Sequence, residues 1–291
     1  MHITSSEYEY ALLLSKVNKG IDKDDRTNTG TTSIFGTQTK YDIRNNQIPL
    51  LRCKSIFTKG VIRELLWMLR GETNIKSLVD NGVHIWDEWA DENGDLGRVY
   101  GAQWRTWPCI DIDTSEGVTE LCVSPLDQIT QLMVDLKENP FSRRHIVTAW
   151  NPAELEAMAL PPCHMFMQFY VEEVDDIKYL SCQMYQRSAD MFLGVPFNIA
   201  SYSILTCMIA HCLGYQPKTF VHTIGDAHVY NNHVEQAHVY LSRVDVGTVT
   251  NVRPPTLHIN PNKKDLLDIN FSDLAISNYK PLLSIPAPVA V

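Results

Sequence analysis

The sequence of 291 residues has no Ser/Gly-rich linker, low-complexity tract, internal repeat or block of like charge to divide it. A single domain over 1–291 is therefore expected, and a chain of this length buries a substantial core. Positive charge is in deficit, with 25 Lys and Arg against 34 Asp and Glu and a net charge of -9. That balance argues against a general nucleic-acid surface, so no nucleic-acid partner is required. The seven cysteines include no C-x-x-C pair of the zinc-binding type. No basic leader opens the sequence, and a reducing cytoplasm is the expected setting. The apolar run from Ile199 to Gly214 falls short of the ~20 residues that span a bilayer and contains Ser201, Ser203 and His211. It reads as a central core helix, with no membrane partner.

What is present centres on Leu160-Pro161-Pro162-Cys163-His164. Two prolines fix φ before Cys163 and remove two backbone donors, giving the thiol a rigid approach. Beyond them Cys163, Met165, Met167 and Phe169 alternate with His164, Phe166, Gln168 and Tyr170, which predicts a strand with both faces largely apolar. Strict alternation sets Cys163 and His164 on opposite faces, so any lowering of the thiol pKa has to come from a cation elsewhere. Tyr179 to Arg187 alternates again, with Leu180, Cys182 and Met184 opposed to Ser181, Gln183, Tyr185 and Arg187. The acidic stretch from Glu172 to Lys178 reads as the turn of a hairpin that returns Arg187 to the start of the Cys163 strand. On spacing alone, a buried thiol packing as a small hydrophobe remains an open alternative to a nucleophile. The paired Arg143-Arg144, with Arg26 and Arg187, suits a local phosphate pocket and equally a solvated face.

Helix signals are Ser6 with Glu9 as a capping box and Gly20 beyond the stop, Thr58 to Arg70 before Gly71, and a start at Ser124-Pro125 closed by Asn139-Pro140. Further strands are expected at Thr32 to Thr37, His145 to Trp150 and Thr219 to Gly225. Helices and strands interleave without a regular βαβ repeat, so the predicted class is α+β.

Several long segments, in order, resemble the thymidylate synthases over nearly the whole chain. They are Asp25-Arg26-Thr27, Glu64-Leu65-Leu66-Trp67, Ile85-Trp86-Asp87-Glu88-Trp89, Arg143-Arg144, the Cys163 segment and Arg187-Ser188-Ala189-Asp190. Pro196 to Tyr202, Gly225-Asp226-Ala227-His228-Val229-Tyr230 and Pro288-Val289-Ala290-Val291 complete the series. The resemblance implies a mixed sheet packed with helices and a homodimer joined through sheet faces. It implies reductive methylation of dUMP to dTMP, with 5,10-methylenetetrahydrofolate as one-carbon and hydride donor and no metal.

Residue by residue, the resemblance makes Cys163 the nucleophile at uracil carbon 6, with Arg187 favouring the thiolate and binding phosphate. Arg26 and Ser188 join the phosphate site, and Arg143 and Arg144 reach it from the other subunit. Asn198 carries the base choice, since a carboxamide pairs with both a carbonyl and a ring N–H of uracil. His228 and Tyr230 hold the deoxyribose. Glu64, in an apolar helix, has the raised pKa suited to passing protons. Tyr100 lies near the cysteine. Asp190 meets the pterin while also bordering the nucleotide. Ile85, Trp86 and Trp89 shelter the transferred carbon from water, Lys54 takes the folate glutamate tail, and the C-terminal segment through Val291 closes over the ligands.

Taken singly, most of these residues have ordinary alternatives. Arg187 reads as a strand-end ion pair, Asn198 as a turn residue, His228 and Tyr230 as a structural pair, and the C-terminus as a frayed tail. The chain departs from the family pattern at Asn28, at Arg52-Cys53 before Lys54, and at Arg98 before Val99-Tyr100. Two other readings share much of the site: a dUMP hydroxymethylase, and a nucleotide- or RNA-binding homologue without turnover.

Overall fold

The structure is a computed structural model describing residues 4–113, 120–245 and 253–290. Its strands are β1 (Ile21–Lys23), β2 (Thr31–Asp42), β3 (Trp107–Asp113), β4 (Glu120–Leu126), β5 (Ile146–Thr148), β6 (His164–Val174), β7 (Ile177–Asp190), β8 (Gln216–Tyr230), β9 (Thr256–Ile259) and β10 (Leu274–Ser277). The helices are α1 (Ser5–Val17), α2 (Thr58–Leu69), α3 (Lys76–Val79), α4 (Gly101–Arg105), α5 (Gln128–Glu138), α6 (Gly194–Leu213) and α7 (Val234–Asp245).

The main sheet runs β1-β2-β8-β7-β6-β5. β7 and β8 are parallel and the other neighbours antiparallel, so it is mixed. A parallel neighbour requires a crossover, which α6 supplies. The fold is α+β, as expected. The hairpin of β6 and β7 turns at Asp175 and Asp176, both at positive φ, a conformation short polar side chains tolerate.

One face of the sheet builds the core. Leu180, Cys182 and Met184 of β7 are buried beside Phe220 of β8 and Tyr41 of β2, and the Tyr41 and Phe220 rings stack. Over them lies α6, apolar around its whole circumference. It starts five residues before the expected run, because a proline in the first turn forfeits no intrahelical bond, and it ends at Gly214 in the left-handed region. By length and composition α6 suffices to cross a membrane, yet 78% of its apolar window is buried inside the protein. The opposite sheet face leaves Phe35, Phe166 and Tyr170 exposed.

Three local expectations need correction. A register shift between His164 and Phe166 breaks the alternation of β6, so buried His164 joins the core side with Met167 and Phe169. The cap of α1 is Thr4, whose hydroxyl accepts the Glu7 N–H, rather than Ser6. Ser124-Pro125 lies inside β4, and Asp127 caps α5 instead by accepting from the N–H groups of Ile129 and Thr130. The β3–β4 hairpin containing Ser124-Pro125 carries no anticipated role, and residues 114–119 lie outside the described residues.

Candidate active site

Side chains from several elements converge at the start of β6. The carbonyls of Pro161 and Pro162 lie outside any strand ladder and need donors from elsewhere. Arg187 supplies them, its Nε donating to Pro162 O at 2.9 Å and its Nη2 to Pro161 O at 2.8 Å. The Arg187 N–H also donates to Cys163 O at 2.8 Å, so the hairpin does bring the cation beside the cysteine. Trp150 lies under the guanidinium, 5.4 Å from ring centroid to Cζ. Gly225 of β8 permits this close approach, because a Cβ there would lie 2.9 Å from both Arg187 O and Tyr185 Oη.

The Tyr100 hydroxyl accepts the Cys163 N–H at 2.9 Å. Tyr100 itself sits at φ 28°, a strained value for an aromatic residue. Gly101 follows because a Cβ there would meet Met68 O at 2.3 Å. Burial pushes the Cys163 thiol up, while the Arg187 charge and the Tyr100 hydroxyl pull it down without overcoming burial. In this state the cysteine is therefore held as a thiol, a balance in which Arg187 has the anticipated sign but is outweighed. His164 is no base for it. Its ring stacks on Tyr100 at 4.1 Å and its Nδ1 pairs with the Tyr202 hydroxyl at 2.6 Å. Burial, with neighbouring His222, depresses its pKa to about 3.

Glu64 projects from α2 into the same cluster. Its Oε1 accepts the Trp86 indole N–H at 2.8 Å, and burial raises its pKa to about 7. Trp86 touches the rings of Trp67, Trp89 and Tyr100, with centroid distances of 6.4, 5.8 and 6.0 Å. Ile85 and Trp89 are partly buried beside it, and the three lie in a stretch of turns.

Asn198 occupies the first turns of α6, not a loop. Its Oδ1 accepts from Gln186 Nε2 at 3.1 Å, and that same amide nitrogen donates to Ser188 O at 3.0 Å. Gln186 Oε1 then takes the N–H of His222 Nε2 at 2.9 Å, which fixes the amide's orientation. Gln186, His222, Trp150 and Tyr202 are missed by sequence reasoning. For Gln186 and His222 the signal is a buried polar residue at an inward strand position, whereas Trp150, on irregular chain after β5, and Tyr202, within α6, offer no such signal.

At the neighbouring strand ends, the His228 and Tyr230 rings meet edge to face at 5.1 Å on one side of β8. Asp226 pairs with His228 Nδ1 at 3.2 Å and with Lys23 at 3.2 Å. Arg26 is exposed on a loop folded around Asp25, whose carboxylate accepts from the N–H groups of Thr27 and Gly30. Asn28 holds φ 56° there, a left-handed conformation that asparagine tolerates.

Asp190 ends β7 and accepts from the N–H groups of Phe192 and Leu193. Burial raises its pKa, but His233 and those backbone groups outweigh burial and hold the carboxyl below its ordinary range. Lys54 is buried, not solvated. Its Nζ donates to Phe192 O at 2.5 Å, lies 3.6 Å from the centroid of that ring, and its pKa is lowered to about 8 mainly by burial. Arg52 is buried too, donating to the carbonyls of Arg253 and Asn278. Arg98 braces the approach to Tyr100 by pairing with Glu154 at 3.0 Å.

Two expected residues stand apart from this cluster in the chain. Arg143 and Arg144 are exposed just before β5, where Ile146 pairs with Gln168. That register puts Arg144 roughly 20 Å along the sheet from His164, at about 3.3 Å per residue. Val291 lies outside the described residues. Among the described residues, no group of three or more His, Cys, Asp or Glu is arranged to hold a metal ion.

A thiol, a guanidinium and a recessed carboxyl meeting at one end of a mixed α+β sheet describe a class of nucleophilic active site. The particular family follows from comparison with known families: the thymidylate synthase model matches residues 8–291, and the chain belongs to that family.

Proposed function

We propose that the protein is a thymidylate synthase, converting dUMP and 5,10-methylenetetrahydrofolate to dTMP and dihydrofolate. The observation that carries this reading is the placement of Cys163 between Arg187 and Tyr100, with Glu64 and Asn198 on the flanking helices.

Carbon 5 of uracil is a poor nucleophile. Addition of Cys163 Sγ to carbon 6 forms a C–S bond and pushes electron density to carbon 5 and the carbonyl oxygen. Proton loss from carbon 5 and departure of the thiol later restore the ring. The folate supplies the one-carbon unit and the hydride. Arg187 lowers the cost of the thiolate and, with Arg26 and Ser188, contributes donors for phosphate. Asn198, its amide fixed through Gln186, presents hydrogen bonds to uracil. His228 and Tyr230 offer donors to the sugar.

Glu64, with a pKa of about 7, is equipped to exchange a proton near neutrality. Trp86 both fixes that carboxyl and joins Ile85 and Trp89 in an apolar wall for the folate side, where Asp190 provides an acceptor for a pterin N–H. Lys54, facing Phe192 in this state, serves the glutamate tail after breaking its bond to Phe192 O. The exposed aromatic sheet face fits self-association, with Arg143 and Arg144 donated to a second subunit's phosphate site.

Incubating purified protein with dUMP and methylenetetrahydrofolate tests the reading. Production of dTMP with dihydrofolate supports it. Hydroxymethyl-dUMP with tetrahydrofolate selects the hydroxymethylase alternative, and dUMP binding without conversion by folded protein sinks both.

A further inference from the structure

We propose that His233 is a positioning residue that ties the C-terminal segment to Asp190, so that the seat of the tail and the orientation of the acid depend on one imidazole. The identity of the ligand beside Asp190 rests on the synthase reading; the tie itself rests on geometry.

His233 closes the short turn Asn231–His233 after β8 and is wholly buried. Its Nε2 lies 2.6 Å from Pro288 O, across 55 positions of sequence. A carbonyl only accepts, so Nε2 carries the proton. The other nitrogen, Nδ1, lies 3.8 Å from Asp190 Oδ1 and has no hydrogen-bond partner among the described residues. Phe192 and Tyr230 confine the ring, with centroids at 5.7 and 5.6 Å, so it cannot readily turn from either oxygen.

Both oxygens facing the ring are acceptors. A neutral imidazole serves one and turns a lone pair towards the other, whereas the doubly protonated ring donates to both. The charged groups facing it are Asp190, which favours the proton, and Lys54, which opposes it; burial also opposes it, and the net displacement is upward. In the doubly protonated ring the donated bond to Pro288 is charge-assisted and stronger than in the neutral one. Movement of the tail shifts the ring, and the ring carries that shift to the carboxylate proposed to meet the folate.

The test uses two variants and a readout independent of catalysis. Carboxypeptidase must draw several terminal residues into an extended conformation, so a tail held at Pro288 is cut slowly. His233→Leu, which cannot donate, is expected to raise the rate of terminal residue release without ligands about tenfold, the worth of one hydrogen bond. It is also expected to raise KM for the folate about tenfold while KM for dUMP stays within about twofold. His233→Gln keeps one donor and is expected to restore tail protection without restoring the folate KM.

Wild-type release rates in folded His233→Leu overturn the proposal. So does a Gln variant digested as fast as the Leu variant with both KM values moving together, which marks a merely structural role. Should His233→Leu not fold, the Gln variant alone decides through the split between tail protection and folate KM. Should the wild-type protein lack synthase activity, the functional reading fails while tail release still judges the tie.

Discussion

The two ends of the candidate site are built differently. At the end proposed for the nucleotide, Cys163, Arg187, Ser188, Asn198, His228 and Tyr230 lie on or directly beside β6, β7, β8 and α6, and strand register sets their spacing. At the end proposed for the folate, Lys54, Ile85, Trp89 and the C-terminal segment lie on irregular chain. Separate bonds from side chains help fasten it, Arg52 to Asn278 O, the Tyr279 hydroxyl to Leu51 O, Arg243 to Leu283 O and His233 to Pro288 O, beside a backbone bond from Leu282 N–H to Arg52 O. Each such bond contributes about 1 kcal/mol net, against the cooperative stability of a packed sheet. The difference teaches that atoms which must not drift are carried by register, whereas parts that must admit and cover a ligand are held by separable contacts.

Variants that sharpen this contrast differ in expected size. Cys163→Ala removes the nucleophile and is expected to lower kcat by at least about 10³-fold while dUMP binding survives, measured by turnover and calorimetry. Glu64→Gln is expected to lower kcat by about 10² to 10⁴-fold and to abolish the titration near pH 7.

The same substitution has a stability signature. The Glu64 pKa is raised from 4.5 to about 7 in the folded protein, so folding favours its protonated form. The shift costs nothing below pH 4.5, and a penalty accumulates from there to about pH 7 and is complete above it. Glu64→Gln is therefore expected to be more stable than wild type at pH 8 and to lose that advantage at pH 4, read from denaturant midpoints.

Deleting Val291 probes the separable end and is expected to cost about 10²-fold in kcat through lost closure, with dUMP affinity nearly unchanged. An equal loss in dUMP affinity would break the distinction between the ends. Tyr279→Phe, which leaves Leu51 O and the Ile56 N–H without their hydroxyl partner, is expected to raise the folate KM only about threefold to tenfold. The subunit prediction is qualitative: mixing Cys163→Ala with a double Arg143→Ala, Arg144→Ala variant should restore activity that neither has alone, if each site borrows arginines from its partner.

The register-bound end was the more legible in sequence. Alternation in Tyr179 to Arg187 and the acidic turn before it located Arg187 beside Cys163, because a hairpin converts local pattern into contact. The same logic failed at His164, where an extra residue shifts the register without any glycine or proline to announce it. Asn198 was assigned by motif, but its orientation depends on Gln186 and His222, which share inward strand positions with apolar residues and look alike in pattern. Lys54 was read by resemblance as the contact for the folate glutamate tail, and its burial against Phe192 was not foreseen, since contacts between distant loops leave no periodic trace. The apolar surroundings of Glu64 were visible in α2, whereas its Trp86 partner comes from turns 22 residues away.

Fluorine at carbon 5 of dUMP supplies no proton to lose, so a nucleophile added at carbon 6 stays bonded once the one-carbon unit has been accepted. Intact-mass spectrometry of the protein with 5-fluoro-dUMP and methylenetetrahydrofolate therefore reads the central claim. The account predicts a ternary adduct mapped to Cys163 and absent from Cys163→Ala. An adduct on another residue, or none on folded protein with both ligands bound, would contradict it.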